Sequence, residues 1–155
     1  SVLWIDDKDF ILRLSQEFNP HIDSNPIKTI KRVYSLMDAF IKTAPKPPEQ
    51  YAIDCKSGCS YCCYIRNHIY RYEAIYISKW VKSRYSKEYP LEIKRRASKN
   101  IEIKGDDPEN VTHRCRCPFL THHNKCGIYE ARPAVCRTMY SGELKGCKLG
   151  YATAE

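Results

Sequence analysis

Residues 117–137 read CPFLTHHNKCGIYEARPAVCR, and the fold is decided by how this stretch is interpreted. It carries three cysteines (Cys117, Cys126 and Cys136) among Pro118, Gly127 and Pro133, so it is neither a long helix nor a regular strand. Working outward, the same region holds Cys115 before it and Cys147 after it, and an earlier block, CKSGCSYCC, spans residues 55–63. Sulfur is therefore concentrated in two remote segments. Close pairs such as Cys59-x-x-Cys62 let two thiolates from one turn face a common ion at about 2.3 Å. Gly58 and Gly127 stand where such turns need a positive φ or a close backbone approach. Pro133 can open a short helix, which would put Cys136 in its first turn, where the helix dipole favours thiolate. Lys56, Arg66, Arg114, Arg116, Arg137 and Lys148 are positioned near the cysteines to offset thiolate charge.

The nine cysteines cannot all pair within one chain, and none precedes Cys55. Disulfide-rich scaffolds are mostly small secreted domains without a core. A chain of 155 residues, with 43% hydrophobic and 28% charged residues, is long enough to build a core of its own. The sequence shows no signal-peptide pattern and no apolar run near the roughly 18 residues of a membrane span. These features predict reduced thiols gathered around metal in a cytoplasmic protein.

The flanking sequence reads as helix. Residues 6–18 place Phe10, Ile11, Leu14 and Phe18 at helical spacing, and Asn25-Pro26 is a cap followed by a first-turn proline. From there Ile27, Ile30, Tyr34, Met37 and Ile41 share a face. APKPPEQ, residues 44–50, has three prolines in seven residues and reads as a stiff connector. A third helix is expected over 70–85 through Tyr72, Ile75, Tyr76, Trp80 and Val81, and a fourth over 91–101, opened by Pro90. Residues 105–108 form a loop, and the last third consists of short turns with at most one hairpin around 117–126. The fold class is mainly α: a small helical domain with irregular cysteine-rich metal-binding loops. Its divisions are an N-terminal helical pair (1–43), the connector (44–50) and a cysteine-cluster domain (51–155) that forms one compact unit with those helices.

CxxxCxxCC, then CPFL, then CGIYEARPAVCR resembles the cysteine-cluster family of zinc- or iron-chelating proteins (YkgJ-like, CxxCxxCC type). The resemblance runs from about Cys55 to Cys147, and its second block is the more specific. It implies metal binding by Cys55, Cys59, Cys62, Cys63, Cys117, Cys126 and Cys136, with Arg132-Pro133 as the family's R-P. Cys147 falls where a further late cysteine belongs, and Cys115 is an extra thiol. A related pattern occurs beside flagellin lysine methylases.

Thiolates suit both zinc and an iron–sulfur cluster. Eight ligands divide into two four-cysteine zinc sites, whereas four would hold one 4Fe-4S cubane. The adjacent Cys62 and Cys63 are expected to point apart and serve different centres. His113, His122 and His123 lack a ligand spacing to any cysteine pair and read as loop residues, with a mixed Cys/His zinc site as the alternative. Cys55-x3-Cys59-x2-Cys62 also has the spacing of the radical S-adenosylmethionine motif, but a mostly helical chain of this size lacks the barrel which that chemistry requires. No phosphate-cradling glycine loop, nucleophile elbow or HExxH occurs, and a closed four-thiolate site leaves no place for water, which points away from a hydrolase.

The formal charge of +8 is local: residues 64–104 hold 11 Lys/Arg against 4 Asp/Glu, and the remainder is nearly balanced. Lys79, Lys82, Arg84, Lys87, Lys94, Arg95, Arg96 and Lys99 alternate with Tyr72, Tyr76, Trp80, Tyr85 and Tyr89. This region makes a basic adaptor for nucleic acid or a protein partner the alternative function, with metal as scaffolding.

Overall fold

The computed structural model describes residues 25–43, 55, 57–65, 67–104, 114–141 and 144–152. The helix expected over 6–18, the connector at 44–50, the loop at 105–108, Lys56, Arg66 and His113 lie outside the described residues.

Helix α1 is Pro26–Thr43. Asn25 caps it through a side-chain bond from the Lys28 N–H at 3.3 Å, and Pro26 takes the first-turn position where a missing N–H costs nothing. Its inward face is Thr29, Ile30, Val33, Tyr34 and Met37. Helix α2, Arg71–Arg84, lies against α1 and buries Glu73, Tyr76, Ile77 and Val81. The apolar pattern expected for α2 is partly corrected here, because Ile75 and Tyr72 are exposed. The buried stripe passes through Glu73 instead, and a carboxylate within the stripe hides it from a hydrophobic reading.

Helix α3 is Glu88–Lys104, so it starts before Pro90 rather than at it. Pro90 is tolerated because the first-turn N–H groups have no intrahelical acceptor. Two short helices follow: a 3-10 turn at Tyr129–Ala131 and α4 at Ala134–Arg137, with Pro133 as its N-cap. Helix α5, Leu144–Ala152, was not anticipated; it packs on a 3-10 turn at Tyr61–Tyr64. Among the described residues the only β pairing is an antiparallel bridge between Leu120 and Cys126, closed by a turn with Asn124 at φ 56°. The protein is mainly helical with cysteine-bearing loops, and no described helix is long and apolar enough to cross a membrane.

One core joins α1, α2 and the second cysteine block: Ile30, Val33, Tyr34, Met37, Tyr76, Ile77 and Val81 close on Ile128 and Ala131. Two polar side chains fix this junction. Glu73, 3% exposed, accepts from the Tyr70 N–H (2.9 Å), the Tyr34 hydroxyl (2.7 Å) and the Ala134 N–H (2.8 Å). It thus caps its own helix and α4 together. Arg137, 1% exposed, pairs with Asp38 of α1 at 2.5 Å and donates to the Arg132 and Glu130 carbonyls. Its guanidinium also lies 4.1 Å from the Tyr34 ring centroid. The α4 segment carrying Cys136 is therefore bolted to α1 and α2.

Candidate metal centre

All nine cysteines are free thiols. The first block is shaped by Gly58 at φ +89°, which turns the chain between Cys55 and Cys59, and by the 3-10 turn that carries Cys62 and Cys63. The second block docks on it through the backbone: the Cys117 N–H donates to the Cys63 carbonyl at 2.7 Å.

In the CPFL turn the Leu120 N–H donates to the Cys117 carbonyl at 3.0 Å, and the Phe119 and Leu120 N–H groups hold the Cys117 thiol down against burial, as the Ile128 N–H does for Cys126. Such donors stabilise a thiolate without adding net charge. Gly127 is needed for a different approach from the one expected. A Cβ there would meet the Tyr89 hydroxyl at 2.6 Å and the Phe119 carbonyl at 3.0 Å, so the close neighbours are phenol and backbone rather than sulfur.

The thiols sense one another in two groups. Cys136 feels Cys117, Cys126 and Cys62, and Cys63 feels Cys62, Cys117 and Cys126. Cys55 feels Cys59, Cys147 and Cys62, and its sulfur accepts from the Ser141 N–H at 3.2 Å. Cys62 borders both groups. Cys115 stands apart, with its thiol directed at the Asn100 carbonyl at 3.9 Å. The rings of His122 and His123 lie against each other, tilted by 46° with centroids 3.9 Å apart, on the exposed turn. Among the described residues no three Cys, His, Asp or Glu side chains form a metal-holding arrangement, so the sulfurs are neighbours rather than a closed cage.

Two expectations are corrected. Cys62 and Cys63 do not point apart: a hydrogen bond from the Cys63 thiol lowers Cys62 to about 6, and the same shared proton pushes Cys63 up. Cys136 is not made acidic by its place at the start of α4. Burial, followed by the neighbouring sulfurs, pushes it up to about 12, and a helix of four residues has too little dipole to oppose that. Burial likewise raises Cys55, Cys117 and Cys126. The guanidinium that acts against these shifts at Cys126 and Cys136 is Arg132, whereas Arg137 is spent on the core. Arg132 is held over the Tyr129 ring at 3.8 Å.

An all-sulfur donor set supported by backbone N–H groups fits a soft or borderline metal. Residues 54–149 match the model of the CxxCxxCC family, described as a "putative zinc- or iron-chelating domain". The chain belongs to the CxxCxxCC family. Metal binding, of zinc or iron, is accordingly the function of this CxxCxxCC domain. No curated protein and no solved structure matches the chain.

Proposed function

We propose that this CxxCxxCC protein holds its metal through Cys55, Cys59, Cys62, Cys63, Cys117, Cys126, Cys136 and Cys147, divided between two neighbourhoods. Cys63, Cys117, Cys126 and Cys136 form the inner set, and Cys55, Cys59, Cys62 and Cys147 the outer one. The observation that carries this reading is that Cys63, from the first block, and Cys136, from the second, both feel Cys117 and Cys126 across a long stretch of chain, with Cys62 at the border of the two sets. Residues 51–155, together with α1, act as one folding unit in this reading, because ligands from both blocks must be held at once.

The resident group we favour is a 4Fe-4S cluster in the inner set, with a role in electron transfer, and zinc is the competing occupant. A bound cluster supplies one-electron chemistry, whereas zinc supplies only cross-linking. The chain's own contributions are clear in either case. The Phe119, Leu120 and Ile128 N–H groups stabilise sulfur charge, Arg132 offsets it, and Glu73 and Arg137 fix the segment that bears Cys136.

The deciding experiment is anaerobic purification followed by iron, zinc and acid-labile sulfide analysis with a visible spectrum. Sulfide and dithionite-bleachable absorbance support the cluster; zinc without sulfide replaces it with a structural centre. Cys117→Ser and Cys136→Ser are each expected to lower metal content and stability together, and full loading with unchanged melting in both would refute the ligand set.

The second reading is a basic adaptor whose metal is scaffolding. It is favoured by the surface of α3, where Arg95 and Arg96 remain exposed although Arg95 forks onto Glu92 at 2.8 Å and Arg96 Nε donates to it at 2.7 Å.

A further inference from the structure

Between α3 and the segment leading into the second cysteine block lies a cleft of about 460 Å³. Arg95, Arg96, Lys99, Arg114 and Arg116 line it, with Glu92 as the one carboxylate among the described residues. That carboxylate is engaged: Arg95 Nε and Nη2 and Arg96 Nε all donate to it. Arg96 is further tied to the Pro118 carbonyl at 3.2 Å, and Arg116 donates to the Thr121 carbonyl. A guanidinium has five N–H donors, so these bonds fix the planes and still leave donors for a ligand. The ordering cost of gathering the arginines is thus partly met by the fold itself.

A second hollow of about 200 Å³ adjoins the cleft, and Arg96 and Arg116 line both. That hollow is lined by Tyr89, Phe119 and His122. Tyr89 is stacked on Tyr85 with ring centroids 4.0 Å apart, so the aromatic floor is rigid. A trough of cations beside an aromatic notch matches a ligand that has phosphates at one end and a planar ring at the other. The larger hollow alone is within the range of small-molecule sites.

We propose that this composite cleft binds a nucleotide, with its phosphates among Arg95, Lys99, Arg114 and the shared arginines and its base against Phe119 and His122. The inference does not rest on which metal the cysteines hold. The same chemistry is offered by a free nucleoside triphosphate or by one nucleotide of a single strand.

The test uses metal-loaded full-length protein and measures binding of ATP, pyrophosphate and a short single-stranded oligouridylate by calorimetry across a salt series. ATP or the oligonucleotide is expected to bind more tightly than pyrophosphate, with affinity falling steeply as salt rises. Whichever of the two binds more tightly at equal nucleotide concentration identifies the source. Arg95→Glu with Lys99→Glu is expected to weaken binding at least about tenfold and to flatten the salt slope, whereas Lys79→Glu on α2 has no effect. His122→Ala is expected to narrow the preference for ATP over pyrophosphate. Metal content and far-UV circular dichroism show whether each variant is folded, and Lys99→Ala replaces the double reversal if it is not. Absence of binding at low salt, equal affinity for ATP and pyrophosphate, or indifference to the α3 substitutions would each overturn the proposal.

Discussion

Glu73 provides the sharpest quantitative test of how the cysteine-bearing segment is held. Its two oxygens serve three donors, of which the Tyr34 hydroxyl and the Ala134 N–H belong to other elements. Glu73→Ala strands these donors in a site where the native side chain is 3% exposed. A buried unsatisfied donor costs about 1–3 kcal/mol, so losing two of them while the Tyr70 N–H turns to solvent predicts a loss of about 3–4 kcal/mol. Glu73→Gln keeps the volume and one oxygen, which can still serve Tyr34 and Ala134. It places an NH2 group opposite the Tyr70 N–H and removes the charge, for a loss of about 1–2 kcal/mol. Urea unfolding of the reduced, metal-loaded protein measures both, with an unchanged slope showing that the native state is still compact. At this chain length the alanine variant should melt roughly 6–16 °C lower. Ala and Gln variants that both stay within about 0.5 kcal/mol of the parent would refute the claim that Glu73 joins α1, α2 and α4.

Arg137→Lys keeps a charge for Asp38 but loses the fork onto the Arg132 and Glu130 carbonyls; we expect a loss of about 1–3 kcal/mol by chemical denaturation. Gly127→Ala forces a methyl into the Tyr89 hydroxyl and the Phe119 carbonyl, so thermal melting should fall by several degrees and the Tyr85–Gly127 bond should be lost, visible as altered tyrosine fluorescence. Cys115→Ser, by contrast, is expected to leave metal stoichiometry unchanged in elemental analysis, since its thiol faces Asn100. In metal-free protein, Cys136 is pushed up to about 12 and so holds its proton more tightly than in the unfolded chain. Its contribution to stability is therefore complete below the ordinary thiol value and is lost as pH rises from about 9 to about 12. Metal binding must expel such protons, so affinity should move the opposite way and rise with pH. Chelator-treated protein unfolding equally at neutral and strongly alkaline pH, or metal affinity insensitive to pH, would contradict this.

What was legible in the sequence had local physical signals. Asn25-Pro26 announces α1, and Pro133 announces α4, because a cap and a proline at a helix start act through neighbouring atoms. CPFL and CGIY betray sulfur-holding turns by composition, and the cysteine spacing identifies the family. What escaped depends on distant partners. Glu73 looks like a solvated residue of a helix, and only the meeting of Tyr34 and Ala134 makes it a buried junction. Arg137 next to Cys136 looks like a counter-ion for thiolate, but Asp38, far away on α1, claims it. Helix α5 contains Gly146 and Gly150, poor helix formers, and is set by its packing on Tyr61–Tyr64. The cationic cleft was visible only as a basic stretch, because Arg114 and Arg116 join Arg95, Arg96 and Lys99 through tertiary structure alone.

The seam between the cysteine blocks has a consequence for biosynthesis. Cys63 meets Cys117 through the backbone, and Cys55 meets Ser141 across 86 positions of chain. A ribosome delivers the early thiols long before their later companions. During that interval they are open to oxidants and to adventitious ions, so the order in which the polypeptide emerges makes loading a late event, after residue 141 has been translated.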